Sequence, residues 1–233
     1  MRLALFDLDN TLLAGDSDYA WGEFLIHAGW VDAAQHRAQN DAFYADYRQG
    51  RLDIQAFLHF QLAPLSRYPK TQLLALRAQF LATLSPLYLP AAETLIAEHR
   101  ARGDRLVIIT ATNRFITAPI AARFGINDLI ATTPEETETG YTGRYLGIPT
   151  FREGKVKALQ AWLAAQHLTP QDIWAYSDSI NDVPLLSCAT YPVAVDPDPA
   201  LARLAQQRGW PCITLRAGSQ PQYGDHSPYG LSA

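Results

Sequence analysis

Apolar runs of three to five residues alternate along the chain with longer stretches in which apolar positions recur at three- and four-residue spacing. The runs are Arg2 to Phe6, Arg105 to Ile109, Leu129 to Ala131, Ile173 to Tyr176, Val193 to Val195 and Cys212 to Leu215. Each is too short for a persistent helix and predicts a strand. Between them, Pro90 to Arg102, Phe115 to Phe124, Lys155 to His167, Asp182 to Ser187 and Pro199 to Arg208 carry the helical period, and Gly103 and Gly209 stand where a left-handed stop is needed. This alternation predicts an α/β fold, a parallel sheet covered by helices on both faces.

The interval from Asp16 to Leu89 departs from it, with aromatic and aliphatic positions at helical spacing, no convincing strand, and breaks near Gly29, Gly50 and Pro64. It leaves after the first strand and returns before the second, which places it over the carboxyl end of the sheet, where open α/β folds bind ligands. The expected division is a core of residues 1–15 and 90–216, a helical cap of residues 16–89, and a tail of residues 217–233. The tail's Gly, Ser, Pro, Gln and Asp bury too little apolar surface to order it. Gly140 to Tyr145, with its glycines and alternating aromatics, reads as a short hairpin.

The 233 residues carry a net charge of −4, contain no block of like charge and hold no apolar run long enough to span a bilayer. Nucleic acid and membrane are not expected partners. Two cysteines, Cys188 and Cys212, cannot form a disulfide framework; they read as buried thiols in a reducing cytoplasm.

The chemistry concentrates at strand ends. In Phe6-Asp7-Leu8-Asp9-Asn10-Thr11 a buried strand delivers two carboxylates one residue apart, roughly 6 to 7 Å along an extended chain and pointing the same way. Alone, the pair is equally a polar turn capped by Asp9. A second acidic loop, Asp178-Ser179-Ile180-Asn181-Asp182, ends another apolar strand. If the two strands are neighbours, four carboxylates meet in one crevice, and a hard cation such as Mg²⁺ is the usual resolution of their repulsion. Thr110 with the free N–H of Ala111 suits a phosphoryl oxygen, although Thr110 is also a plausible helix cap. Lys155 opens a helix, where the dipole disfavours a cation; beside acids and phosphate it offsets both charges, and otherwise it is a solvated lysine. Gly154-Lys155 fails the P-loop spacing, and neither a dinucleotide fingerprint nor a serine-hydrolase elbow is present.

These four blocks, in this order, resemble the haloacid dehalogenase superfamily of phosphohydrolases over Met1 to about Leu215, and the helical interval resembles the type-one cap of its phosphoserine phosphatase-like branch. The resemblance implies a Rossmann-like, doubly wound core and a Mg²⁺-dependent phosphatase acting through an aspartyl-phosphate. It assigns Asp7 as nucleophile, Asp9 as general acid and base with its backbone carbonyl on the metal, and Asp178 as the remaining metal ligand. Asp182 and Asn181 would orient groups around the metal or phosphate, and Thr110, Ala111 and Lys155 would hold the phosphoryl oxygens. Asp16 takes the place of the acid that receives the substrate's amino group. Where phosphoserine phosphatases carry a carboxylate-clamping arginine, an ungapped alignment on Gly50-Arg51-Leu52 puts His59, unless Arg48 or Arg51 reaches in instead.

Imidazole cannot form the bidentate fork of a guanidinium, which favours an amino-alcohol phosphate such as histidinol phosphate over phosphoserine. Trp21 and Phe24 are the aromatics best placed by sequence to line the pocket. The expected partner is a small phosphorylated metabolite, bound by a monomer or homodimer. A phosphotransferase using the same intermediate remains a second reading, and a non-catalytic phosphate-binding protein a third.

Overall fold

The computed structural model describes residues 1–224. Six parallel strands and one antiparallel edge strand form the main sheet: β1 (Arg2–Phe6), β2 (Arg105–Thr110), β3 (Asp128–Ala131), β6 (Asp172–Ser177), β7 (Tyr191–Val195), β8 (Cys212–Thr214) and β9 (Gln222–Tyr223), in the order β3-β2-β1-β6-β7-β8-β9. β1 is central. Phe6 is level with Ile108 of β2 on one side and Tyr176 of β6 on the other, so the residues that follow β1, β2 and β6 emerge together at one sheet end. The chain winds outward from β1 to β3, then returns beside β1 and winds the other way, which makes this end the topological switch point.

Alternating strand residues serve two cores. Ala4, Phe6, Ile108 and Tyr176 pack with helices α5 (Pro90–Ala101) and α6 (Arg114–Arg123), while Leu3, Leu5, Val107, Ile109 and Ala175 pack with α7 (Glu153–Ala165), α8 (Val183–Cys188) and α9 (Pro199–Arg208). Gly209 ends α9 with φ +65°, and Gly103 takes φ +74° just beyond α5, the stops the sequence predicts.

Residues 16–89 fold as α1 (Ser17–His27), α2 (Ala33–Arg48), α3 (Ile54–Leu62) and α4 (Lys70–Thr83), with short 3₁₀ turns after α3 and α4. Asp16, Asp32 and Asp53 each precede a helix and accept its first free N–H groups, which explains why α1, α2 and α3 start where they do. Trp21, Leu25, Leu62, Leu73 and Phe80 join the same apolar cluster as α5 and α6, so these helices are fastened to the core.

Three expectations need correction. The hairpin begins earlier than its glycines suggested: β4 (Thr133–Glu136) pairs antiparallel with β5 (Tyr141–Leu146), and Gly140 closes the turn by accepting from the Thr137 N–H. The stretch from Ala217 is not wholly loose, since β9 pairs with β8 and the Ser219 carbonyl accepts from Thr94 Oγ1; the rest of the predicted tail lies outside the described residues. Cys188 is exposed and Cys212 partly so, because each sits at the end of its element, and both are free. Among the described residues no helix is long and apolar enough to cross a membrane.

Below β1 and β6 lies a buried polar triad. His99 on α5 approaches Asp104 through Nδ1 at 2.8 Å and the Tyr176 hydroxyl through Nε2 at 2.7 Å, and Tyr176 stacks on Phe6 at 5.1 Å. Burial outweighs Asp104 and holds the imidazole's pKa down at about 4. The unfolded chain therefore takes up a proton that the folded chain refuses, and stability falls as pH drops from 6.5 towards about 4. Urea unfolding across that window is expected to show a shallower decline for His99→Gln. His99→Leu, which leaves the Tyr176 hydroxyl without its partner while Asp104 keeps Arg2, is expected to lose about 1 to 3 kcal/mol at pH 7.5.

Candidate active site

The loop after β1 is shaped by local backbone. Asn10 takes a left-handed φ of 58°, tolerated by a short amide side chain, and its N–H donates to the Gly15 carbonyl at 3.0 Å. Asp7 and Asp9 are thereby held at the mouth of the sheet. Asp7 is buried, and its Oδ1 accepts from Lys155 Nζ at 2.7 Å. Asp9 Oδ1 accepts from the Ser17 N–H at 2.7 Å and its Oδ2 from Thr112 Oγ1 at 2.8 Å.

Lys155 is buried in the first turn of α7. Residue 154 must be glycine, because a Cβ there would collide with the Pro149 carbonyl, and this tight entry delivers the next side chain into the sheet end. Nζ donates to Asp7 Oδ1 at 2.7 Å and to Asp182 Oδ2 at 2.6 Å. Ser177 Oγ donates to the same Asp182 oxygen at 2.7 Å. Asp178 joins through Thr11, whose hydroxyl donates to Asp178 Oδ1 at 3.0 Å, accepts from the Asp178 N–H at 3.1 Å, and stands 3.4 Å from Asp7 Oδ2.

Charge is unbalanced here. Burial, with Asp182 and Asp9 adding to it against Lys155, raises the Asp7 pKa to about 7. Burial and Asp16 raise Asp9 to about 6, against the bonds from Ser17 and Thr112. Burial raises Asp16, and burial with the neighbouring acids lifts Asp18 and Asp178 well above the carboxylate range. For Lys155 burial works the other way, but Asp182 and Asp7 overcome it and hold the ammonium above its ordinary value.

The sequence-predicted residues do not all converge. Asp7, Asp9, Asp16, Thr110, Ala111, Lys155 and Asp182 line one partly open cavity of about 50 Å³ beneath the cap. Asp178 lies behind Thr11, on the wall of the adjoining cleft. Thr110 Oγ1 accepts from the Thr112 N–H at 3.1 Å, a local turn, and is 3.5 Å from Asp9. Asn181 is committed elsewhere: Nδ2 donates to the Tyr47 carbonyl at 3.0 Å and Oδ1 accepts from Arg152 Nε at 3.1 Å, while Arg152 Nη2 also donates to the Gly50 carbonyl. These bonds tie cap to core over the cavity.

His59 is exposed on α3 and faces a different surface cleft, because the helical turn that points Phe57 and Gln61 inward turns residue 59 away. Arg51 pairs with Asp46, and neither Arg48 nor Arg51 lines the cavity. Trp21 and Phe24 pack on Phe80 at 5.1 and 5.5 Å in the apolar core rather than lining the pocket. The cap wall is instead Asp18, Tyr19, Asn40, Phe43, Tyr44, Tyr47, Leu52, Phe57 and Gln61, with Phe151 from the core. Thr11, Thr112, Ser177 and Asp18 were missed. Each stands within four residues of a recognised acid or threonine, and that adjacency was the available signal.

The chain belongs to the haloacid dehalogenase-like hydrolase family, whose sequence model matches residues 4–187. It is 46% identical over 220 residues to a histidinol-phosphatase of Neisseria meningitidis serogroup C (strain 8013), an alignment covering 92% of this chain and 99% of that one. It is 31% identical to the phosphoserine phosphatase SerB1 of Mycobacterium tuberculosis (strain ATCC 25618 / H37Rv), over 89% of this chain and 68% of the relative. Among solved structures, a protein of unknown function from Bordetella pertussis Tohama I superposes with a TM-score of 0.87 at 44% identity, covering 92% of this chain and 98% of that one. A phosphoserine phosphatase aspartyl-intermediate analogue shares the fold at a TM-score of 0.65 and 18% identity, over 86% and 89% of the two chains. The protein is thus a phosphatase of this family.

Lys155→Met is expected to leave Asp7 and Asp182 facing each other without a counter-charge. In EDTA at pH 8 the loss is expected to be about 3 kcal/mol or more. It is expected to shrink towards pH 5, where Asp7, with its pKa raised to about 7, takes up a proton; urea titrations at both pH values check this.

Proposed function

We propose that the protein hydrolyses histidinol phosphate through an aspartyl-phosphate formed on Asp7. The observation that carries the substrate choice is the wall of the Asp7 cavity. It holds two further acids, Asp16 and Asp18, a set of aromatic rings, and, among the described residues, Lys155 as its sole cation. Lys155 is already engaged by Asp7 and Asp182. A substrate carboxylate would find no guanidinium there, whereas an ammonium finds acids and a flat ring finds Phe43, Tyr44 and Phe57. The 46% identity to a histidinol-phosphatase supports the same choice. The free thiols and the absence of a membrane-crossing helix among the described residues are compatible with a cytoplasmic enzyme.

The donor set fits Mg²⁺. Among the described residues no three acidic or imidazole side chains converge tightly enough to enclose an ion unaided. Asp7 and Asp178, bridged by the Thr11 hydroxyl, would nevertheless offer two hard oxygen ligands, and the Asp9 backbone carbonyl would offer a third. A surplus of buried carboxylates with raised pKa values is what a divalent cation corrects. When bound, Mg²⁺ supplies charge neutralisation that keeps Asp7 ionised and polarises the phosphoryl oxygens.

The chain's own residues account for the remaining steps. Lys155 fixes Asp7 Oδ1, which orients the carboxylate for in-line attack on phosphorus. Lys155 and the Ala111 N–H hold equatorial oxygens. Asp9, anchored by Ser17 and Thr112 with a pKa near 6, donates its proton to the departing alkoxide and takes one from the water that cleaves the aspartyl-phosphate. Asp182 and Ser177 keep Lys155 in place.

Phosphate release from a panel of phosphorylated metabolites tests the proposal. Histidinol phosphate is expected to give the highest kcat/KM, with Mg²⁺ required and EDTA abolishing release. Asp7→Asn is expected to stop turnover while keeping the fold, because the amide oxygen still accepts from Lys155. Asp9→Asn is expected to slow turnover by about 10² to 10⁴. Equal or greater activity on phosphoserine would overturn the substrate assignment.

A further inference from the structure

Two neutral amides stand in the cavity wall without an evident structural need for them. Asn40 on α2 and Gln61 on α3 are both almost fully buried, at 2% and 3% exposure. Their contacts are long: Gln61 Nε2 donates to Asn40 Oδ1 at 3.5 Å, and Asn40 Nδ2 donates to the Tyr19 carbonyl at 3.3 Å. Each amide offers two N–H donors and a carbonyl acceptor, so both retain capacity towards the space they line. Burying amides against Phe43 and Phe57 is costly unless something completes their bonds.

The packing around them makes room for Asn40. Gly22 of α1 lies against α2, and a Cβ there would come within 2.7 Å of Asn40 Nδ2 and 3.1 Å of His36 Nε2. The missing side chain at residue 22 lets the amide occupy its place in the wall.

We infer that Asn40 and Gln61 are specificity-determining residues that read the two ring nitrogens of a heteroaromatic substrate, the imidazole of histidinol phosphate. The inference rests on the substrate reading given above and adds to it the residues that recognise the ring. Imidazole presents one N–H donor and one lone-pair acceptor in the plane of a flat ring, separated by a single ring carbon. A pair of amides supplies the complementary acceptor and donor, and the flanking aromatics supply the faces. A ring of the same size without nitrogens would leave both amides unmatched, and a site built to hydrogen-bond its substrate discriminates strongly against such an analogue.

The test compares kcat/KM for three esters with the same amine and phosphate: histidinol phosphate, phenylalaninol phosphate, which has a ring without nitrogens, and phosphoethanolamine, which has no ring. Wild type is expected to prefer histidinol phosphate to phenylalaninol phosphate by about 100-fold or more. Gln61→Leu and Asn40→Leu are each expected to shrink that ratio by about 10- to 100-fold, chiefly by raising KM for histidinol phosphate. Gln61→Glu and Asn40→Asp keep the side-chain shape and read the same ratio should a leucine variant fail to fold. Gly22→Ala, which pushes on the Asn40 amide, is expected to move the ratio in the same direction. An unchanged ratio in all folded variants, with wild type still preferring histidinol phosphate, overturns the role of the two amides alone. A wild type that favours phosphoserine over all three esters overturns the substrate reading and this inference with it.

Discussion

The structure depends on one buried ammonium. Lys155 lies between Asp7 and Asp182, on which two otherwise separate strand ends converge, and without it the sheet end would gather acids that repel each other in a medium too apolar to screen them. That constraint reaches backwards into the sequence. Gly154 is required by the tight turn that admits the lysine, Ser177 holds the far acid, and Thr11 separates Asp7 from Asp178. Lys155 removes only part of the repulsion, and the raised pKa values of Asp7 and Asp178 mark the remainder.

The acid cluster and the cap do different work. The core supplies the acids and the lysine: the acids stand in the loops that follow β1 and β6, Lys155 opens α7, and hydrogen bonds fix their side chains. The cap supplies a wall, and it is tied to the core both through its main chain, where Asn181 and Arg152 donate to the carbonyls of Tyr47 and Gly50, and through side chains such as Arg77, which donates to the Phe115 carbonyl at 2.7 Å.

Much of this was legible in the sequence because strand-end chemistry is local. Asp7, Asp9, Asp178 and Lys155 each follow or open an element whose apolar period gives it away, and a parallel sheet brings such ends together. The cap was legible as helices but not as a surface. Which side of α3 faces inward depends on how it packs against α2 and the hairpin, so counting along the chain reached His59 when the inward positions were Phe57 and Gln61. Trp21 was chosen for its nearness to Asp16, yet its ring fills the cluster that fastens cap to core, and Asp18 and Tyr19 line the cavity. The pairing of β9 with β8 was hidden for a similar reason: its composition is poor in apolar residues, and a two-residue edge strand is held by backbone bonds that sequence pattern does not report.

On α1 and α3 the residues facing the cavity alternate closely with residues buried in the core: Tyr19 stands two positions from Trp21, Phe57 beside Leu58, and Gln61 beside Leu62. A single exchange at Tyr19, Phe57 or Gln61 alters the pocket and its neighbours on α2 but leaves the apolar core in place, whereas rotating or shifting either helix would pull core side chains out of their packing. Selectivity in such a cap can drift through point changes while the helices stay in register, so related enzymes with different substrates are expected to share the scaffold of buried leucines and aromatics and to diverge in the few positions between them.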